Sequence, residues 1–157
     1  MEILLIRHAV AVPADGELAD EARPLTAKGK QRFARAVTGL RHLGVKLDRV
    51  YHSPWLRAVE TAELLVPLLD GETVVSGRLA APPGKGLLAE LGGDRIALVG
   101  HEPWMGELLA WLTLGQTKAA AGFDLRKGGV AWVEGEAVRP GAMKLVAFLP
   151  PRILRSL

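Results

Sequence analysis

Ile3, Leu4, Leu5 and Ile6 form an unbroken apolar run that stops at Arg7-His8, and Ile96, Ala97, Leu98 and Val99 form another that stops at Gly100-His101-Glu102-Pro103. Short continuous runs without polar alternation predict strands buried on both faces, as in a parallel sheet covered by helices. Strand-like and helix-like segments alternate along the rest of the chain. Residues 9–23 form a polar, acidic loop (Asp15, Glu17, Asp20, Glu21) too long for an ordinary connection, and so either mobile or functional. Thr26 caps a helix in which Phe33, Val37, Leu40 and Leu43 recur at helical spacing, and Gly44 stops it. Val50-Tyr51 is a short strand ending at His52-Ser53; Ser53-Pro54 reads as an N-cap with a first-turn proline, opening a helix to about Leu69. Residues 73–75 predict a weaker strand, 77–86 a loop rich in Pro and Gly, and 87–91 a short helix. Pro103 opens a further helix to about Leu114, and 130–133 and 143–149 read as late strands joined by a Gly-Glu turn. This order predicts one α/β domain over residues 1–157, a three-layer α/β/α sandwich around a mostly parallel sheet.

With 157 residues, 49% of them hydrophobic, the chain can bury one sizeable core and is too short for two ordinary domains. The lack of cysteine excludes disulfides and thiolate metal sites and accords with a reducing compartment. No apolar stretch reaches membrane-spanning length, and Arg7 interrupts the first run too early for a secretory signal. A soluble, cytoplasmic protein is expected. The 20 Lys and Arg against 17 Asp and Glu are scattered rather than blocked, so nucleic acid is not an expected partner.

Open α/β sheets bind ligands at the carboxyl ends of their strands. Three such exits carry chemistry: Arg7-His8, Ser53-Pro54-Trp55-Leu56-Arg57 and Gly100-His101. Each has an ordinary reading alone; Arg57, for instance, would be a solvent-facing helical residue paired with Glu60 or Glu63. Two arginines and two histidines on one edge are better explained by an anion site. Arg57, about one turn into its helix, lies close enough to the N-terminus to join backbone N–H groups in holding the anion. A metal held by His8, His52 and His101 is the rival, but it lacks a helical histidine pair and sets arginines against a cation. Neither metal nor other cofactor is expected. His42 reads as a surface residue, His52 as strand-end packing, and Trp55, Trp104 and Trp111 as core or rim.

The motifs LLIRHA, RPLTAKG, SPWLRAVETAELL and LVGHEPW, in this order and spacing, resemble the histidine phosphatase superfamily, which has the phosphoglycerate mutase-like fold. Within it the chain is most similar to small bacterial phosphohistidine phosphatases of the SixA type. The resemblance implies that His8 is the nucleophile, that Arg7, Arg57 and His101 surround the phosphoryl group, and that Arg23 is a further phosphate contact. Such chemistry needs a neutral His8, which neighbouring arginines favour. It also needs guanidinium groups on the equatorial phosphoryl oxygens, with a protonated His101 donating another bond. Two departures stand out. Ala9 replaces the glycine usual after the first-motif histidine, so that a methyl group could crowd the phosphate. In the segment SGRLAAPPGKGLLAEL, where many phosphomonoesterases of the superfamily carry an acid, Glu90 is the sole carboxylate. Asp15, Glu17 and Glu102 are the remaining candidates.

A leaving alkoxide demands a proton donor, whereas phosphohistidine can leave as a neutral imidazole protonated by solvent. The expected substrate is therefore a phosphorylated protein, by resemblance a histidine phosphotransfer domain of a bacterial signalling or sugar-transport relay. The alternatives are a phosphatase for small phosphomonoesters and a non-catalytic phosphohistidine-binding module.

Overall fold

The computed structural model describes residues 1–157. The first apolar run forms β1 (Glu2–Arg7), buried on both sides as its lack of alternation requires. Leu4 and Ile6 enter one core while Ile3 and Leu5 enter the other. The second run behaves alike in β4 (Arg95–Gly100): Ala97 and Val99 face one core, Ile96 and Leu98 the other. With β2 (Leu47–His52), β3 (Leu69–Val75), β5 (Val130–Glu134) and β6 (Lys144–Leu149) they make a six-stranded sheet ordered β3-β2-β4-β1-β5-β6. Only β5 runs against the rest.

Register places the strand exits together. Arg7 lies opposite Gly100, and Ile6 and His52 both lie opposite Val99, so β1, β4 and β2 end within a residue of one another on adjacent ladders. Helices cover both faces, giving the expected three layers. On one side, α1 (Ala27–His42) contributes Phe33, Val37 and Leu40, α2 (Leu56–Glu63) contributes Ala58 and Ala62, and α5 (Pro151–Leu154) contributes Leu154. On the other, Leu87 of α3 (Lys85–Glu90) joins Met105, Leu108, Leu109 and Leu112 of α4 (Trp104–Leu114).

Thr26 caps α1 by accepting from the Gly29 N–H at 2.9 Å, and Gly44 follows its end at φ +79°, a conformation other residues seldom adopt. A side chain at Gly29 would strike the Val10 carbonyl, so this glycine lets the 9–23 loop lie against α1.

Three sequence expectations change. The helix after Ser53 begins at Leu56 and ends at Glu63, giving way to a 3₁₀ turn at Val66–Leu68 that contains Pro67. Strand β3 starts at Leu69, four residues early, because an exposed edge strand lacks the burial that would stamp alternation on its sequence. Residues 135–143, not a tight Gly-Glu turn, connect β5 to β6.

Candidate active site

His8 leaves β1 fully turned inward, and its surroundings fix its proton. The Ala9 carbonyl lies 2.7 Å from Nδ1; a carbonyl can only accept, so Nδ1 carries the hydrogen and Nε2 is left with a lone pair. Arg57 donates to that Nε2 from its own Nε at 3.3 Å. Burial above all, opposed by the Ala9 hydrogen bond and assisted by His101, Arg57 and Arg7, lowers the His8 pKa to about 3. His8 is therefore an uncharged imidazole with its lone pair aimed at a guanidinium.

His101, at the exit of β4, is brought beside it, with ring centroids 5.2 Å apart. Its Nε2 lies 2.7 Å from Ser53 Oγ, and that oxygen also accepts from the Trp55 N–H. The serine hydroxyl has one proton, and His101 Nε2 is the one acceptor it meets, so the hydroxyl donates there. Nδ1 then bears the hydrogen of a neutral ring, and this buried Nδ1 has no partner within the protein. Burial, with the charge of Arg57, lowers the pKa of His101 to about 4. In the unliganded site His101 is thus neutral, with Ser53 making its Nδ1 a donor; the protonated His101 expected from the sequence belongs to the phosphoryl-bound state, where the anion would raise its pKa. Ser53→Ala is expected to cost about tenfold in kcat/KM. The proton on His101 should then redistribute between its ring nitrogens, as ¹⁵N NMR would detect; an unchanged tautomer would refute this role for Ser53.

Arg7 donates from Nη1 to the Leu125 carbonyl at 3.1 Å, whereas its Nε is buried and unpartnered. Among the chain's buried side-chain nitrogens and oxygens just three lack partners, and two of them, Arg7 Nε and His101 Nδ1, belong to these strand exits. Such orphans cost about 1–3 kcal/mol each, which an anion accepting from both would relieve.

Because α2 starts later than expected, Arg57 is its second residue rather than a full turn inside. The side chain is buried, its guanidinium lies 4.8 Å from the Trp55 ring centroid, and the Trp55 ring in turn packs 4.5 Å from His101. Trp55 is thus a wall of the site. Neither Glu60 nor Glu63 pairs with Arg57; Glu60 instead accepts from Lys30 and from the Leu25 N–H. The partner of Arg57 is Asp20. Its carbonyl accepts from Nη1 at 2.6 Å and its carboxylate from Nη2 at 3.2 Å. The other carboxylate oxygen is held by Arg23 at 2.8 Å, and Arg23 also donates to the Val12 carbonyl. Burial opposes ionisation of Asp20, but Arg23 and Arg57 outweigh it and hold the carboxyl below its usual range. The acidic loop therefore delivers a carboxylate that bridges two arginines. Arg23, expected at the phosphate, reaches Arg57 through Asp20.

Ala9 belongs to the core on the α1 side, and its N–H donates to Thr61 Oγ1, which in turn donates to the Arg57 carbonyl. Glu90 hydrogen-bonds Ser76, whose N–H donates to the His52 carbonyl, and pairs with Arg78. Glu102 accepts from the Gly106 N–H at 2.7 Å, and burial pushes its carboxyl up although that bond and then Arg7 partly offset this. His52 is buried with Nδ1 2.9 Å from the Ser53 carbonyl, His42 lies against the Leu157 carbonyl, and no three His, Asp or Glu side chains converge as metal ligands would. Asp20 and Ser53 are the partners that sequence reasoning missed. Their signals, an acid three residues before Arg23 and a serine at a strand exit, look like ordinary loop and cap chemistry.

Residues 3–81 match the family model of the histidine phosphatase superfamily (branch 1). An uncharacterised protein of Picosynechococcus sp. is 33% identical over 147 residues, covering 88% of each chain. Among solved structures, the protein histidine phosphatase SixA in complex with tungstate aligns with a TM-score of 0.80 at 26% identity, over 98% of this chain and 99% of that one. The alpha-ribazole phosphatase from Shigella flexneri shares the fold, with a TM-score of 0.73 at 17% identity over 96% of this chain and 97% of that one.

Proposed function

The chain belongs to the histidine phosphatase superfamily (branch 1), and on that premise we propose that it hydrolyses phosphohistidine on a protein through a covalent phosphoryl intermediate on His8. The observation that carries this reading is the pairing of a neutral, tautomer-fixed His8 with two unsatisfied buried donors, Arg7 Nε and His101 Nδ1.

His8 Nε2 attacks phosphorus as the bond from phosphorus to the substrate nitrogen breaks, and the departing imidazole takes a proton from water. Arg57 turns from the Nε2 lone pair to the phosphoryl oxygens, joined there by Arg7 and by the N–H of His101, while Arg23 adds charge behind Arg57. Water then adds to phosphorus, inorganic phosphate leaves, and the lone pair of His8 is restored. Charge stabilisation comes from guanidinium groups gathered at the site, so most of the acceleration is electrostatic and positional.

The carboxylates bear on the leaving group. Asp20 is held ionised on Arg57, and Glu90 is engaged elsewhere, so neither is poised to protonate an alkoxide. Glu102, with its raised pKa, supports a second reading in which the substrate is a small phosphomonoester.

One assay separates them. A phosphohistidine peptide, an aryl phosphate and a sugar phosphate are compared by kcat/KM, with and without chelator. The expected order is phosphohistidine above aryl above sugar phosphate, unchanged by chelator. Preference for the sugar phosphate, lost in Glu102→Gln, would establish the second reading, and binding of phosphohistidine without turnover would make the chain a recognition module. No helix is long and apolar enough to cross a membrane.

A further inference from the structure

Beside the histidine site lies an open groove of about 1090 Å³ that starts at Arg7 and Ala9 and runs between α1 and α5. Its charge is lopsided. Arg32 on α1, Arg126 and Lys127 before β5, and Arg152 and Arg155 at the C-terminus join Arg7 in lining it, and Asp124 is the single carboxylate among the lining residues. The groove thus holds six of the chain's 20 Lys and Arg but one of its 17 Asp and Glu. The pair formed there, Arg126 with Asp124 at 3.1 Å, is exposed on both sides; Arg32, Lys127 and Arg152 are exposed with no ion-pair partner. Beneath the cations lies an apolar floor that includes Phe33, Phe148, Pro150 and Pro151. Unneutralised like charges gathered from three chain segments raise the free energy of the folded protein, and an anionic partner would offset that cost.

We propose that this groove docks an acidic surface of the phosphoprotein substrate, steering its phosphohistidine into the site at Arg7. The inference rests on the phosphohistidine reading above. A small anion is bound by a few buried, convergent donors. These cations are instead mostly exposed, sit on long flexible stems and spread along a groove that opens to solvent, which suits charge distributed over a protein surface. Arg7 joins the two regions: its Nη1 is fixed on the Leu125 carbonyl, next to the Arg126-Lys127 turn, while its unpartnered Nε belongs to the reaction centre. The Gly128 N–H, donating to the carbonyls of both Arg7 and His8, ties that turn to the nucleophile.

The test uses the full chain, its Arg126→Glu/Arg152→Glu double variant, and three synthetic peptides whose central phosphohistidine is flanked by glutamate, serine or lysine. For the wild type, kcat/KM is expected to favour the glutamate peptide over the lysine peptide by about tenfold or more at low salt, through KM, and the preference should shrink as salt is raised. In the double variant the preference disappears or reverses, while aryl phosphate turnover and the thermal midpoint are retained. Equal kcat/KM for the three peptides, or a preference that survives the double variant, overturns the proposal. So does tighter binding of tripolyphosphate or an oligonucleotide than of the acidic peptide. A labelled, unphosphorylated glutamate peptide, followed by fluorescence anisotropy, keeps the two readings apart. If it binds the wild type and not the double variant while no phosphohistidine peptide is turned over, docking stands and the substrate assignment falls.

Discussion

Alanine in place of His8 is expected to abolish turnover, by about four orders of magnitude or more, because no other group in the site can form the covalent intermediate. Its Nε2 is an uncharged lone pair held in place by the bond from Nδ1 to the Ala9 carbonyl. His101 cannot take over. Its Nε2 is engaged by Ser53, and its Nδ1 lies on the donating side of the ring. Brief reaction of the wild type with ³²P-labelled substrate should leave acid-labile, base-stable phosphate on the peptide that contains His8, and the variant should take up none. Label on a His101 peptide, or residual activity within a factor of about ten, would transfer the role to another residue. His42→Ala, remote from the site, should leave both measurements unchanged.

The second large effect is on stability. Both site histidines are buried in their neutral forms, with pKa values lowered from 6.5 to about 3 for His8 and about 4 for His101. On unfolding each ring returns to its ordinary value and binds a proton below pH 6.5, so acid favours the unfolded chain. Stability should accordingly fall as pH drops from 6.5 towards 4. Between pH 7 and pH 5 the loss is about 2 kcal/mol per ring, about 4 kcal/mol in all, a sizeable share of the ~5–15 kcal/mol that holds a domain together. Glu102, raised by burial, works in the opposite sense just above its ordinary range and trims the effect. Urea midpoints at the two pH values measure it directly. His8→Ala should roughly halve the difference, and saturating tungstate should reduce it, since a nearby dianion favours a protonated His101. A midpoint indifferent to pH would mean that these rings are charged in the folded protein.

What could be read from the chain followed from local patterning. β1 and β4 were evident because a strand buried on both faces writes itself as a continuous apolar run, and their ends carry Arg7, His8 and His101. The Ser-Pro pair marked the start of the segment bearing Arg57, although the helix itself begins at Leu56. The partners were not legible. Ser53 meets His101 across 48 residues and Asp20 meets Arg57 across 37, and nothing in a local window separates such contacts from a capping serine or a solvated acid. The early start of β3 went unread for a related reason: with Asp70, Gly71 and Glu72 exposed at the sheet edge, it has no buried face to leave a period in the sequence.

The carboxylate of Asp20, lying across Arg23 and Arg57, occupies donors that an incoming anion would have to claim. A tethered ligand never diffuses away, so every incoming anion must displace a group present at high effective concentration. Under the phosphohistidine reading, free phosphate, which gains little beyond what Asp20 already supplies to Arg57, would compete poorly, whereas a phosphoryl group on a docked partner would bring further contacts with which to displace the carboxylate. After hydrolysis the same carboxylate would compete with the product phosphate for Arg57.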